Sequence, residues 1–104
     1  MSVESVAQRA SGGFEDAVER LSEYLRYPAI SCEEEHFDDV RRLADRIQGD
    51  LAELGLHNSR VLDLPDALPC VAAEWLDAGP NVPTILIYGH MDLQPVEREN
   101  WRTD

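Results

Sequence analysis

Lysine is absent from this chain, and its absence leaves a strongly one-sided charge. All nine basic residues are arginine, and they face 21 acidic residues, so the formal net charge is −12. A surface this acidic repels phosphate backbones and anionic lipids, and we therefore expect neither nucleic acid nor a membrane as a partner. Metal ions and other cationic partners would instead be attracted over long range.

Cysteine is scarce, and long apolar runs are missing. Cys32 and Cys70 lie far apart and form no Cys-x-x-Cys pair. This usage is typical of a reducing compartment, and we expect both thiols to be inert, Cys32 because the three glutamates after it oppose a thiolate. No apolar stretch of the signal-peptide kind opens the chain, and no run approaches the roughly 20 residues of a membrane helix. These absences predict a cytoplasmic protein.

The length and composition fit one small packed domain. The chain has 104 residues, of which 43% are hydrophobic. A chain of this length can be one small domain or part of a larger one. We interpret residues 1–13 as a flexible lead-in that ends in two glycines, and residues 14–104 as the domain itself.

An amphipathic helix is predicted between the glycine pair and Pro28, because apolar residues recur there at steps of four, three and four. These residues are Phe14, Val18, Leu21 and Leu25. Pro28 ends the helix, since the residue before a proline is pushed out of the helical region.

A longer helix is predicted from about Cys32 to Leu54 by a second apolar stripe. Ser31 followed by Glu34 is the sequence pattern of a capping box at its start, and Gly55 supplies the C-terminal stop. The acidic start of this helix could be a cation site. A solvated first turn that matches the helix dipole is the simpler interpretation.

After Gly55 the periodicity changes from helical to extended. The segments SRVLDL and PCVAAEWL alternate, and TILIY at residues 84–88 is apolar throughout, as in a central strand covered on both faces. Two helices followed by three strands predict an α/β fold. Trp75 and Trp101 are interpreted as packing residues rather than as platforms for a ligand.

The stretch GHMDLQP, which follows the last predicted strand, holds the candidate site. Ligands of α/β folds bind at the carboxyl ends of strands, and His90 lies there, directly after Gly89. An imidazole that binds zinc through one nitrogen needs an acceptor for the other, and Asp92 is near enough to supply it. A His-x-Asp pair alone also fits a polar turn. His36 and His57 are interpreted as surface or loop histidines.

Several motifs, in this order and spacing, resemble the start of one family of zinc peptidases. They are YPAIS, a long helix ending in LAELGL, VAAEW, TILIYGHMDLQPV and WRTD. The family includes carnosine-type dipeptidases, carboxypeptidase G, aminoacylase and the acetylornithine and succinyl-diaminopimelate deacylases, and the GHMDLQPV form is most similar to the dipeptidase branch. The resemblance covers nearly the whole chain from about Phe14, and its specific part is the Gly-His-x-Asp-x-Gln-Pro string.

The resemblance implies roles for two residues. His90 matches the family's first metal-binding histidine, and Asp92 matches the catalytic-site aspartate that orients it. The resemblance also implies two zinc ions, a metal-activated water that attacks a peptide or amide carbonyl, and a small peptide or acyl-amino-acid substrate. Cobalt or manganese would suit similar ligands. The substrate-binding residues and the identity of the substrate stay open.

The family's other metal ligands and its paired glutamates are not among these residues, and in the family's order they would follow Asp104. We therefore expect residues 14–104 to be the amino-terminal portion of an α/β/α zinc-hydrolase catalytic domain, without the lid or dimerisation domain and inactive in isolation. The alternative is a non-catalytic α/β module that kept the fold and binds a partner, or a second copy, through its open sheet edge. A standalone zinc protein is disfavoured, because a stable site needs three or four ligands.

Overall fold

The chain folds into three α-helices and a small antiparallel sheet, which confirms the α/β class. A computed structural model of the chain describes residues 1–103. Its elements are α1 (Val3–Gly12), α2 (Phe14–Leu25), a 3-10 turn (Glu34–His36), α3 (Phe37–Glu53), β1 (His57–Leu62), β2 (Cys70–Glu74) and a second 3-10 turn (Arg98–Asn100). None of the helices in these residues is both long enough and apolar enough to cross a membrane.

Helix α1 occupies the segment that the sequence pattern assigned to a flexible lead-in, so that prediction was wrong about the local structure. The Ser2 side chain accepts a hydrogen bond from the backbone N–H of Ser5 at 3.1 Å, and the Ser5 side chain accepts one from the backbone N–H of Ser2 at 3.0 Å. This reciprocal cap was missed because serine takes the place of the usual Glu or Gln. No residue of α1 is buried, so its own capping rather than packing stabilises it.

Helix α2 ends at Leu25, before Pro28, as predicted. Its apolar face is nevertheless exposed at every predicted position: Phe14, Val18, Leu21 and Leu25. Polar groups connect α2 to α3 instead. Arg46 of α3 donates to Glu23 at 2.6 Å and to Asp50 at 3.0 Å, and the Tyr24 hydroxyl donates to Asp50 at 2.7 Å.

Helix α3 carries the core of the molecule. Its buried residues are Val40, Leu43 and Ala44, and the first two pack with Ala29 from the loop between α2 and α3. Gly55 ends the helix as predicted. It adopts a φ of 92°, and the backbone N–H of Leu56 reaches back to the carbonyl of Leu51 at 3.1 Å, which is the hydrogen bond of a Schellman cap.

Strands β1 and β2 form an antiparallel hairpin with Val61 opposite Val71. The register shifts between His57 and Arg60, where Asn58 adopts a φ of 49°. Ser59 donates to the backbone carbonyl of Gln48 at 2.6 Å, and this bond attaches the hairpin to α3.

The predicted third strand is not formed within residues 1–103, where the sheet has only β1 and β2. Residues 84–88 run without strand pairing, and Ile85, Leu86, Ile87 and Tyr88 are 82–90% exposed. An apolar run indicates a strand that other elements cover on both faces. Within residues 1–103 no element packs on either side of residues 84–88, and this segment does not form a strand.

Candidate functional site

The site lies where the exposed apolar segment returns to the core. Met91 is partly buried and packs on the cluster around Val40, and the backbone N–H of Leu93 donates to the carbonyl of Ala29 at 2.9 Å. Leu93 also forms an isolated parallel bridge with Ile30. The chain on either side of Asp92 is therefore anchored to the buried part of the molecule.

His90 and Asp92 form the pair that the sequence analysis predicted. The Nδ1 atom of His90 lies 3.1 Å from Oδ1 of Asp92 and 3.1 Å from its backbone oxygen. A backbone carbonyl can only accept a hydrogen bond, so we assign the ring proton to Nδ1. Nε2 then carries the lone pair that a metal would bind, and no side chain in residues 1–103 donates to it. The His90 side chain is 72% exposed and Asp92 28% exposed.

Ser31 completes this arrangement, although sequence reasoning gave it a different role. Its hydroxyl donates to Oδ2 of Asp92 at 2.5 Å across 61 residues of sequence. The predicted capping box with Glu34 was wrong, because the 3-10 turn begins after Glu33 and α3 begins after His36, and neither start has a side-chain cap. The local pattern gives no indication of a partner so distant in the sequence.

The electrostatic environment keeps Asp92 ionised. The hydroxyl of Ser31, and to a smaller extent His90, hold the pKa of the Asp92 carboxyl below its usual range, against the opposing effect of partial burial. At neutral pH both carboxylate oxygens are therefore acceptors, one for Ser31 and one for His90.

An apolar groove of about 690 Å³ opens beside the pair. Its walls come from α3, from the start of β2 and the residues before it, and from residues 88–92. His90 and Asp92 border this groove, so the polar pair and an apolar surface are neighbours.

The other two histidines lie apart from this pair. His57 is exposed, as predicted, and its Nε2 is 3.6 Å from a carboxylate oxygen of Asp77. His36 is only partly exposed, and its Nδ1 lies 2.9 Å from Asp39 Oδ2. That contact raises the pKa of His36 above its usual value and lowers that of Asp39.

A metal fits the residues at the site only in part. His90 and Asp92 could provide at most one ligand and a carboxylate to orient it, whereas a zinc site takes three or four ligands. Within residues 1–103, the one group of three potential ligand side chains close enough to share an ion is Glu33, Glu35 and His36, which does not include His90. Such acidic groups are also common at helix starts without any ion.

Both cysteines are free and exposed. Trp75 and Trp101, interpreted from the sequence as packing residues, are exposed. They therefore do not pack in a core formed by residues 1–103.

Comparison with known proteins finds relatives of one kind. The chain is 30% identical over 114 aligned positions to the Cys-Gly metallodipeptidase DUG1 of Saccharomyces cerevisiae, an alignment that covers 99% of this chain and 24% of the relative. It is 28% identical to the protein of the same name from Candida albicans, with 84% of this chain and 20% of the relative covered. The Schizosaccharomyces pombe protein is 29% identical, with 86% of this chain and 21% of the relative covered.

These similarities support a metallopeptidase family for the chain, although they do not distinguish among the family members that the motifs resemble. The chain spans between a fifth and a quarter of the length of the curated relatives it matches. No protein-family model matches the chain. No solved structure matches it significantly either.

Proposed function

We propose that the chain is the amino-terminal portion of a dipeptidase-like metallohydrolase, to which it supplies one metal-binding histidine, His90, and its orienting aspartate, Asp92. The observation that carries this proposal is the contact of His90 Nδ1 with Asp92, which leaves Nε2 available to a ligand. The similarity to metallodipeptidases over 99% of this chain supports it from an independent direction.

The proposed metal is zinc, as two ions in the complete enzyme, with cobalt or manganese as alternatives. When bound, such ions supply the Lewis-acid chemistry that makes water a nucleophile at neutral pH and polarises the scissile carbonyl. Within this chain, His90 would bind one ion through Nε2. Asp92 would fix the tautomer and the ring orientation and increase the basicity of Nε2. The substrate would be a small peptide or an acyl amino acid.

The chain alone should bind zinc weakly and hydrolyse no dipeptide, because it offers one convincing ligand where three or four are needed. Chelator-sensitive hydrolysis of Cys-Gly by the purified 104-residue chain would contradict this part of the proposal.

A chimera tests the proposal directly. In it, this chain replaces the matching quarter of the Saccharomyces cerevisiae enzyme, and the purified protein is assayed for metal content and for hydrolysis of Cys-Gly. We expect chelator-sensitive activity, because the remaining three quarters would supply the other ligands. A folded chimera that contains metal at the yeast enzyme's stoichiometry but shows no activity would rule the proposal out.

A second function, that of a non-catalytic interaction module, is favoured by one observation. The segment from Ile85 to Tyr88 exposes four consecutive large apolar or aromatic side chains, and such a surface is typical of a site that another protein covers. In this case the chimera would fold without activity and the isolated chain would bind a partner, or a second copy, through residues 84–88.

A further inference from the structure

We infer that Ser31 is a positioning residue for the candidate metal ligand His90, and that it acts through Asp92. The inference deepens the proposed function and rests on it, because a fixed imidazole matters most if Nε2 binds a metal. The hydrogen bond from Ser31 to Asp92 and the contact from Asp92 to His90 form one continuous chain of three side chains.

Ser31 is itself held by the core. Ala29, two residues before it, is fully buried against Val40 and Leu43. The carbonyl of Ala29 accepts the backbone N–H of Leu93, the residue after Asp92. The segment that carries Ser31 therefore lies beside the segment that carries Asp92, and the Ser31 hydroxyl is presented from a fixed backbone.

The hydroxyl is needed because the carboxylate would otherwise rotate. The terminal torsion of an aspartate side chain has a broad energy well, so a contact to one oxygen leaves the plane of the group poorly defined. Ser31 holds Oδ2, and this places Oδ1 towards Nδ1 of His90. Without Ser31 the second oxygen loses its donor, and Asp92 would favour orientations in which it no longer faces the ring.

The expected consequence is a change in the tautomer of His90. With Asp92 fixed, Nδ1 carries the proton and Nε2 the lone pair. When the carboxylate turns away, Nδ1 loses one of its two acceptors and keeps only the backbone oxygen of Asp92. The preference for Nδ1–H therefore weakens, and a larger share of the rings carries the proton on Nε2. A ring protonated there cannot bind a metal through that atom, so the apparent metal affinity falls.

Nuclear magnetic resonance of the ring nitrogens in the metal-free chain tests this inference, at a pH where the imidazoles are neutral. We expect Nδ1–H at His90 in the wild type, a shift of population towards Nε2–H in Ser31→Ala, and the wild-type tautomer in Ser31→Thr, which keeps the hydroxyl. In the same samples, zinc affinity should fall by about 10-fold in Ser31→Ala, the lower end of the loss known for partners of metal ligands.

Ser59→Ala is the matched control. Ser59 is also half-buried and donates a long-range hydrogen bond, to the carbonyl of Gln48 at 2.6 Å, but it lies in β1. The Ser59→Ala variant should be destabilised about as much as Ser31→Ala, and its His90 tautomer should be unchanged. The inference is overturned if Ser31→Ala keeps the wild-type tautomer, or if Ser59→Ala changes the tautomer as much.

Ser31→Cys keeps the test decisive if Ser31→Ala does not fold by circular dichroism. Its thiol is a weak donor, so an intermediate tautomer population supports the inference and a wild-type population overturns it. The tautomer is measured without metal and without substrate, so its result is distinct from that of the chimera. If the His90 tautomer changes in Ser31→Ala but the chimera is inactive, the proposed function is wrong and the positioning role of Ser31 is still supported.

Discussion

Asp92 contacts two hydrogen-bond donors at once, and this determines what a substitution there can do. One carboxylate oxygen accepts from Ser31 and the other faces His90. Asparagine has one acceptor oxygen and one amide NH₂ group, so it can serve only one of these donors and places its own donor against the other. The usual neutral replacement is therefore more disruptive at this position than at a residue with a single partner.

We expect a definite order of effects among single substitutions in the chimera. His90→Ala should abolish most of the dipeptidase activity, because it removes the proposed metal ligand. Asp92→Asn should reduce activity by about 10–100-fold, the usual cost of losing the partner of a ligand. His36→Ala and His57→Ala should be close to neutral. Initial rates at saturating metal, with circular dichroism as the folding control, give the order, and a loss at His36 or His57 equal to that at His90 would refute the site assignment.

At the scale of single residues, contacts between side chains that are close in the sequence could be predicted, and contacts between side chains far apart in the sequence could not. The contact between His90 and Asp92 could be predicted because the two residues are only two positions apart. Ser31 was assigned to a capping box because a glutamate follows it three residues later, and that local rule was overridden by a hydrogen-bond partner 61 residues away. His36 was interpreted as a surface or loop residue, and its side chain is 25% exposed and contacts Asp39 at 2.9 Å.

At the scale of elements, a small polar network connects α2 to α3. The apolar face of α2 was expected to make this contact. Asp50 accepts from the Tyr24 hydroxyl and from Arg46, which also binds Glu23. The hydrogen bond from Tyr24, and after it Arg46, lowers the pKa of Asp50 below its usual range. The same contact, with burial as the larger cause, raises the pKa of Tyr24.

The lowered pKa of Asp50 predicts how stability depends on pH. A carboxyl whose pKa is lower in the folded state stabilises the protein above the unfolded-state pKa of about 3.9, and this contribution is lost as pH falls through the folded-state pKa. Asp50→Asn should therefore cost about 1.5 kcal/mol at pH 7, a typical value for a hydrogen bond to a charged group, and progressively less below about pH 4. Urea unfolding at several pH values measures the difference.

Asp45→Asn is the control for this prediction, because Asp45 lies on the same helix but is exposed. A destabilisation by Asp50→Asn that stayed constant from pH 7 to pH 3 would show that the loss does not come from the ionised carboxylate. An equal effect of Asp45→Asn would show that it is not specific to the network.

At the scale of elements, helices predicted from periodicity and stop signals were largely right. The apolar stripe and Gly55 located α3, and Pro28 located the end of α2. Helix α1 was missed because two serines form its cap without the usual acid. Residues 84–88 were predicted as a strand because an apolar run indicates a segment that other elements bury. Residues 1–103 do not include elements that bury this segment.

The whole molecule exposes more surface than a compact protein of its size. Its accessible surface is 9055 Å². A compact monomer of this mass would expose about 5,900 Å². The radius of gyration is 16.7 Å, against about 13 Å for a compact domain of 100 residues. The excess in accessible surface area is comparable to the area that large permanent interfaces bury. We therefore expect further polypeptide to cover part of this surface.

In isolation, the uncovered apolar segment should make the chain self-associate. Ile85 is 82% exposed within a continuous apolar run, and Val3 of α1 is also 82% exposed. Ile85→Asp should reduce association and Val3→Asp should not, because only the first interrupts the run. The net charge of −12 opposes association, so salt should strengthen it in the wild type. Sedimentation velocity at low and high salt measures this, and a wild-type monomer under both conditions would contradict it.

The central claim is that His90, held by Asp92, is the residue of this chain that binds a metal. Titration of the isotope-labelled chain with Zn²⁺, followed through the ring nitrogens of His36, His57 and His90, tests it most directly. We predict that Nε2 of His90 shifts progressively and saturates only at high zinc concentration, as expected for one protein ligand, while the other two rings respond little. A shift at His36, beside Glu33 and Glu35, with His90 unchanged would contradict the claim.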